Sequence, residues 1–132
     1  MRLSDAVELR EAIYSAAAAR LAGGRLPAAS VAVLNRWSAS SPARLVLEGD
    51  VVRRRGSAAE GLASVARNAV ELFGGDEASL LRECGRPGCT QVYVDRSRGQ
   101  RREWCSMRTC GNRVKASQFR ARHRVAGEAP VA

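Results

Sequence analysis

Residues 84–113 read CGRPGCTQVYVDRSRGQRREWCSMRTCGNR, and the fold of the C-terminal third turns on how its four cysteines are read. Cys84 and Cys89 form one close pair and Cys105 and Cys110 another, with four residues inside each pair and fifteen between the pairs. Two such pairs, each on a knuckle-like turn, present four thiolates to one tetrahedral Zn²⁺ with Zn–S distances of about 2.3 Å. Two disulfides or four free thiols are the competing readings. The N-terminus, MRLSDAVELREAIYS, places Asp5, Glu8 and Glu11 where a signal peptide needs an unbroken apolar run. No stretch approaches the length of a membrane span either. A cytoplasmic protein with no membrane association is therefore expected, and in a reducing compartment clustered cysteines point to metal. The expected cofactor is one structural Zn²⁺, with four protein ligands and no open position for catalysis.

The residues between the cysteines fit that reading. Gly85, Pro87 and Gly88 let the chain turn sharply inside the first pair. Val92 and Tyr93 predict a strand running into a turn at residues 95–100, with residues 101–104 as the returning strand. The second pair is expected to open a helix, whose N-terminal amides favour the negative charge of a metal-thiolate centre. Trp104, directly before Cys105, is expected to shield the metal from water.

Charge is distributed unevenly around this segment. The chain has 132 residues and a formal net charge of +9. Residues 1–83 hold 11 Lys and Arg against 10 Asp and Glu, whereas residues 84–124 hold 11 against only Asp95 and Glu103. On a helix from Cys110 to Arg124, Arg113, Ser117, Arg120 and Arg124 share one stripe, and Lys115 and Arg122 share another. Arg101, Arg102 and Arg108 extend the positive surface. Such charges repel one another, so a polyanion is the expected partner, with a merely solubilising face as the alternative. Arginine contacts to phosphate give affinity and salt sensitivity, while selection among sequences needs side chains at base edges. Gly111 is expected to allow close helix approach, and Asn112 to bond a zinc-bound sulfur or a nearby loop. Phe119 is expected to pack on the N-terminal part or on a second chain, with stacking on a base as the alternative, and the lone His123 to lie on the surface.

The N-terminal part reads as small helices. Of all residues 45% are hydrophobic but only 5% aromatic, a balance that favours alanine-rich helix packing over a deep aromatic pocket. Asp5 and Glu8 have capping spacing, followed by Leu9, Ile13, Ala16, Ala17 and Leu21 at helical period, with Gly23 and Gly24 as the stop. Pro27 suits a first helical turn, and Val31, Leu34 and Trp37 continue a second stripe. RLVLEGDVVRRR, residues 44–55, predicts a β-hairpin turning at Gly49 and Asp50. Ser57 and Glu60 form a capping box for a third helix, with Leu62, Val65, Ala66, Ala69, Val70 and Phe73 as its buried face and Gly74 and Gly75 as its stop.

Residues 84–124 resemble the CGNR zinc finger in their paired cysteines, Val-Asp-Arg-Ser strand and turn, Arg-Arg-x-Trp-Cys-Ser-Met lead-in, and Cys110-Gly111-Asn112-Arg113. The helices and hairpin ahead of them resemble the C-terminal portion of the ABATE domain, found with this finger in bacterial stress-induced transcription regulators. Relative to that family the chain looks N-terminally short. The resemblance implies Cys84, Cys89, Cys105 and Cys110 as zinc ligands and a DNA-binding role in transcription.

The expected fold is α+β, mostly α. A partial ABATE-like α-rich domain with a β-hairpin occupies residues 1–80. A treble-clef-like zinc finger, a β-hairpin plus C-terminal helix, occupies 81–124, and a disordered tail 125–132. The expected function is a zinc-dependent DNA-binding transcription regulator, with Arg101, Arg102, Arg108, Arg113, Lys115, Arg120, Arg122 and Arg124 on the nucleic acid. The alternative is a zinc-stabilised module for protein or RNA. No enzyme is expected, because there is no phosphate-binding glycine loop, nucleophile elbow, histidine pair or carboxylate cluster near the metal. Homodimerisation and a small-molecule effector stay open.

Overall fold

The structure, a computed structural model, describes residues 1–127. The chain divides into two compact units, Met1–Ser79 and a second beginning at Leu80. The architecture is α+β and mostly α, as expected from the sequence. Among the described residues no helix is long and apolar enough to cross a membrane.

In the first unit three helices pack together: α1 (Leu3–Leu21), α2 (Ala28–Ser38) and α3 (Ala58–Gly74). Their buried residues are mostly small: Leu9, Ala12, Ala16 and Ala17 on α1, Ser30 and Leu34 on α2, and Ala63, Ala66, Ala69 and Phe73 on α3. Alanine lets helix axes approach closely, so the larger aliphatic side chains are displaced to the flanks. That corrects the face expected for α3. Val65 and Val70 are 48% and 37% exposed, and Ala63 is fully buried in their stead. Leu21 on α1 is likewise exposed.

The first helix also starts earlier than expected. Asp5 accepts a bond from the backbone N–H of Arg2 at 2.7 Å and serves as the third residue of the helix rather than as its cap. Pro27 precedes α2 as its cap residue instead of entering the first turn. The capping box of α3 forms as read, with Ser57 N–H donating to Glu60 at 2.6 Å and Glu60 N–H donating to Ser57 Oγ at 3.2 Å. At its other end Arg20 of α1 donates through Nε (3.2 Å) and Nη2 (2.9 Å) to the carbonyl of Phe73, satisfying an orphan acceptor of the last turn.

Strands β1 (Arg44–Glu48) and β2 (Val51–Arg55) pair antiparallel, from Arg44 opposite Arg55 to Glu48 opposite Val51. Gly49, at φ 60°, supplies the left-handed conformation that the two-residue turn needs. Every strand residue of this hairpin is exposed. Its base is tied to α3 by the N–H of Ala43, which donates to Ser64 Oγ at 2.9 Å and to the carbonyl of Glu60 at 3.1 Å.

A 3-10 turn (Asp76–Leu80) spans the boundary between the units and leads into β3 (Leu81–Glu83), which pairs antiparallel with β4 (Val92–Val94) in the second. β4 thus pairs with β3 and not with residues 101–104, the returning strand expected from the sequence. Leu81, Arg82 and Glu83 lie opposite Val94, Tyr93 and Val92, and the ladder continues through Cys84 N–H to the Gln91 carbonyl at 2.9 Å. Residues 101–104 are held by isolated contacts instead, with Tyr93 Oη donating to the Arg102 carbonyl at 2.6 Å and Gly85 N–H to the Glu103 carbonyl at 2.9 Å. A π-type turn (Met107–Gly111) then precedes α4 (Asn112–Gly127), so Cys110 stands just ahead of the helix rather than in its first turn. Residues 125–127 continue α4 where a tail was expected, and residues 128–132 of that expected tail lie outside the described residues.

Candidate metal centre

The first knuckle is the turn Cys84 to Cys89, closed by Cys89 N–H donating to the Arg86 carbonyl at 3.0 Å. The second is the loop from Cys105 through the π-type turn to Cys110. Between them the four Sγ atoms lie within 4.8 Å of one another. Cys105 and Cys110 are 3.5 Å apart, Cys110 and Cys89 3.6 Å, and Cys89 and Cys105 4.0 Å. A tetrahedron of sulfurs at a Zn–S bond of about 2.3 Å has edges of about 3.8 Å, so these separations suit zinc. They are too long for disulfides, whose sulfurs sit about 2.05 Å apart, and all four cysteines are free.

Electrostatics point the same way. Arg86 donates through Nε to Cys110 Sγ at 3.0 Å and pulls that thiol down to about 6. Burial and the neighbouring sulfurs push Cys105 up to about 12. At Cys84 burial opposes ionisation, yet the backbone N–H groups of Arg86 and Cys105 hold the thiol below its usual value. Four thiolates this close repel one another unless a cation lies among them, and a divalent metal that favours sulfur removes that cost. The donor set thus fits one structural zinc, held by Cys84, Cys89, Cys105 and Cys110.

The surroundings brace this centre. Cys84, Tyr93 and Cys110 form a buried cluster, with Trp104, Cys89 and Cys105 packed against it. Trp104 therefore takes the shielding place expected of it. A Cβ at Gly111 would stand 2.4 Å from Met107 Sδ and 2.9 Å from Trp104 Cδ1, so glycine leaves room for the Trp104 ring and the Met107 side chain against the π-type turn. Asp95 is fully buried and accepts from Ser97 Oγ, from Ser97 N–H at 2.9 Å and from Arg102 N–H at 3.2 Å. These bonds, the Ser97 hydroxyl foremost, hold its carboxyl below the usual range and fix the loop between β4 and the second knuckle.

Of the arginines expected to contact nucleic acid, Arg102 is exposed but has its guanidinium engaged within the module. Its guanidinium donates to the carbonyls of Trp104 (2.9 Å) and Cys105 and lies 4.4 Å from the centroid of the Tyr93 ring. Arg101, Arg108, Arg113, Lys115, Arg120, Arg122 and Arg124 are exposed. Among the described residues none of these seven pairs with a carboxylate. Arg113, Ser117, Arg120 and Arg124 follow one another at helical spacing along α4. Phe119 is 54% exposed, with its ring 3.9 Å from that of His123.

Two residues of this site escaped the sequence reading. Arg86 is one of eleven basic residues in its segment, and nothing in the pattern marks it as a sulfur ligand's partner. Asp95 was read only as a turn residue, although it is one of two acids in a strongly basic stretch, which is the signal that could have singled it out.

Comparison with known families assigns both units. Residues 81–123 match the family model of the CGNR zinc finger. Residues 2–76 match that of the ABATE domain, described as "Putative stress-induced transcription regulator". No curated protein matches the chain.

Proposed function

The chain belongs to the ABATE family and carries a CGNR zinc finger, and on that premise we propose that it is a transcription regulator whose finger binds duplex DNA. The observation that carries the proposal is the set of seven exposed cations, Arg101, Arg108, Arg113, Lys115, Arg120, Arg122 and Arg124, which have no carboxylate partners among the described residues. Zinc has a structural part: it fixes the loop ahead of α4 and so holds the helix in place on the module. The cations on α4 and on the loop before it then track phosphates, which steers association and sets affinity. Arg102 is omitted from the contact set because its guanidinium already braces the second knuckle. On this reading the protein acts in the cytoplasm and its zinc takes no part in catalysis, since a four-thiolate site leaves the metal no open coordination position.

Fluorescence anisotropy of the zinc-loaded chain against a mixed-sequence duplex, across a salt series, tests this. Neutralising four to six phosphates gives a slope of about −4 to −5 in log affinity against log salt. Arg113→Ala and Arg120→Ala should each reduce the slope by about 1. Binding that is absent or salt-independent on every duplex would remove the proposal, and a preference for RNA or for an acidic peptide would transfer the surface to that partner.

A further inference from the structure

The hairpin of the first unit carries aliphatic side chains that nothing covers. Leu45, Leu47 and Val52 share one face, since Leu47 stands opposite Val52 and Leu45 opposite Arg54, and they are 62%, 71% and 62% exposed. Among the described residues the sheet has these two strands alone, so both of its outer edges are open there. An isolated two-stranded ribbon is marginal in water, and an open edge is a template for another strand.

The two edges differ in what they can accept. β2 ends in Arg53, Arg54 and Arg55, and a second copy laid antiparallel along it would bring positive charge against positive charge. β1 reads Arg-Leu-Val-Leu-Glu and is complementary to itself in antiparallel. With Val46 on a two-fold axis, Leu45 of each copy meets Leu47 of the other, and Arg44 meets Glu48, a carboxylate that also pairs with Arg55 and, at 3.7 Å, with Arg53 of its own hairpin.

The backbone allows the same register. A two-residue turn closes on a hydrogen-bonded pair, here Glu48 with Val51, and such pairs alternate along an antiparallel ladder. Arg44, Val46 and Glu48 therefore bond inward to β2, while the amides and carbonyls of Leu45 and Leu47 point outward. Pairing Leu45 with Leu47 across the axis, twice, satisfies all of these outward groups.

We propose that the outer edge of β1 is a homodimer interface, where two copies join antiparallel about Val46 into a four-stranded sheet. The occupant is a second copy because charge, side-chain size and hydrogen-bond direction are all self-complementary in one register. The proposal is independent of DNA binding, and its test contains no nucleic acid.

The experiment is sedimentation velocity on the zinc-loaded full chain, up to about 100 μM, where an interface with Kd in the micromolar range is populated. The wild type is expected to dimerise. Arg44→Glu places acid opposite acid at both ends of the interface, and Glu48→Arg places base opposite base, so each variant alone should associate at least tenfold more weakly. Mixed in equal amounts, they should restore the dimer, because one copy then carries acid at positions 44 and 48 and the other carries base at both. A variant that merely unfolds cannot give that rescue. A wild type that stays monomeric, an Arg44→Glu chain that dimerises as tightly as wild type, or a mixture that stays monomeric would each overturn the proposal.

Discussion

The two units of this chain solve the problem of a small core in opposite ways. Three helices in the first unit bury alanines against one another, with Leu9, Leu34 and Phe73 as the larger pieces. The second unit has a strand pair of three residues each and buries Leu81, Cys84, Tyr93, Asp95, Cys110 and Gly111, of which only Leu81 and Tyr93 bring much hydrocarbon. The first unit is held by solvent exclusion spread over many contacts. In the second, stabilisation is concentrated at one point, where four thiolates converge on a metal. The lesson is that one unit should yield gradually to substitution and the other abruptly to loss of a single atom.

Removing zinc should have the largest effect and should act on the second unit alone. Metal binding supplies on the order of 10–16 kcal/mol to modules of this kind. A chelator, or Cys110→Ser, should unfold the second unit while the amide signals of α1, α2 and α3 stay dispersed in a two-dimensional NMR spectrum. If both units melt together, they depend on each other for stability and the contrast fails.

The converse substitution is next in size. Phe73 is the largest buried side chain of the helical unit, and Phe73→Ala should cost about 3–5 kcal/mol through lost burial and the cavity left behind. Thermal unfolding of the first unit should shift accordingly, with zinc stoichiometry held at one per chain by metal analysis. Zinc loss in this variant would show that the finger needs the helices to fold.

Much of this contrast is legible in the sequence, because each signal is local. The cysteine spacing gives the metal site, Gly49-Asp50 gives the hairpin, and the Ser57 and Glu60 pair gives the start of α3. What the sequence hides is the choice made between elements. Periodicity cannot tell that α3 turns Ala63 inward and leaves Val65 and Val70 outside, since that depends on how closely its neighbours approach. Nor does the triplet Leu81-Arg82-Glu83 announce itself as the partner of β4, being too short to show alternation. Arg86 and Arg102 look like the other arginines around them until their guanidinium groups are seen on a thiolate and on two carbonyls.

Arg86 sharpens the comparison at the level of one hydrogen bond. Partners just outside the coordination sphere typically contribute 10–100-fold in metal affinity, which is about 1.4–2.7 kcal/mol. Arg86→Gln, titrated against a chromophoric chelator, should lose zinc affinity in that range and leave the melting of the helical unit unchanged. Arg108→Gln, at an exposed position with no sulfur partner among the described residues, is the matched control and should leave zinc affinity as it was.

The smallest effect lies at the start of α3 and separates the units by pH. Glu60 has its carboxyl held below its ordinary value of 4.5, chiefly by the backbone N–H of Ser57 and then by that residue's hydroxyl, against a smaller opposing effect of burial. A depressed pKa in the folded state means that the carboxylate stabilises the fold above about pH 4.5 and that this contribution fades as pH falls through the lower, folded value. Ser57→Ala removes the hydroxyl but keeps the backbone N–H, so it should cost about 1 kcal/mol at neutral pH and retain most of the acid dependence. Glu60→Gln should retain the cap geometry but abolish that dependence. Amide exchange within α3 reads the first unit alone, which matters because acid also protonates the thiolates and strips zinc from the second. If α3 loses protection in acid to the same extent in Glu60→Gln as in wild type, the acid sensitivity of the helical unit comes from elsewhere, and the capping box is geometry without charge.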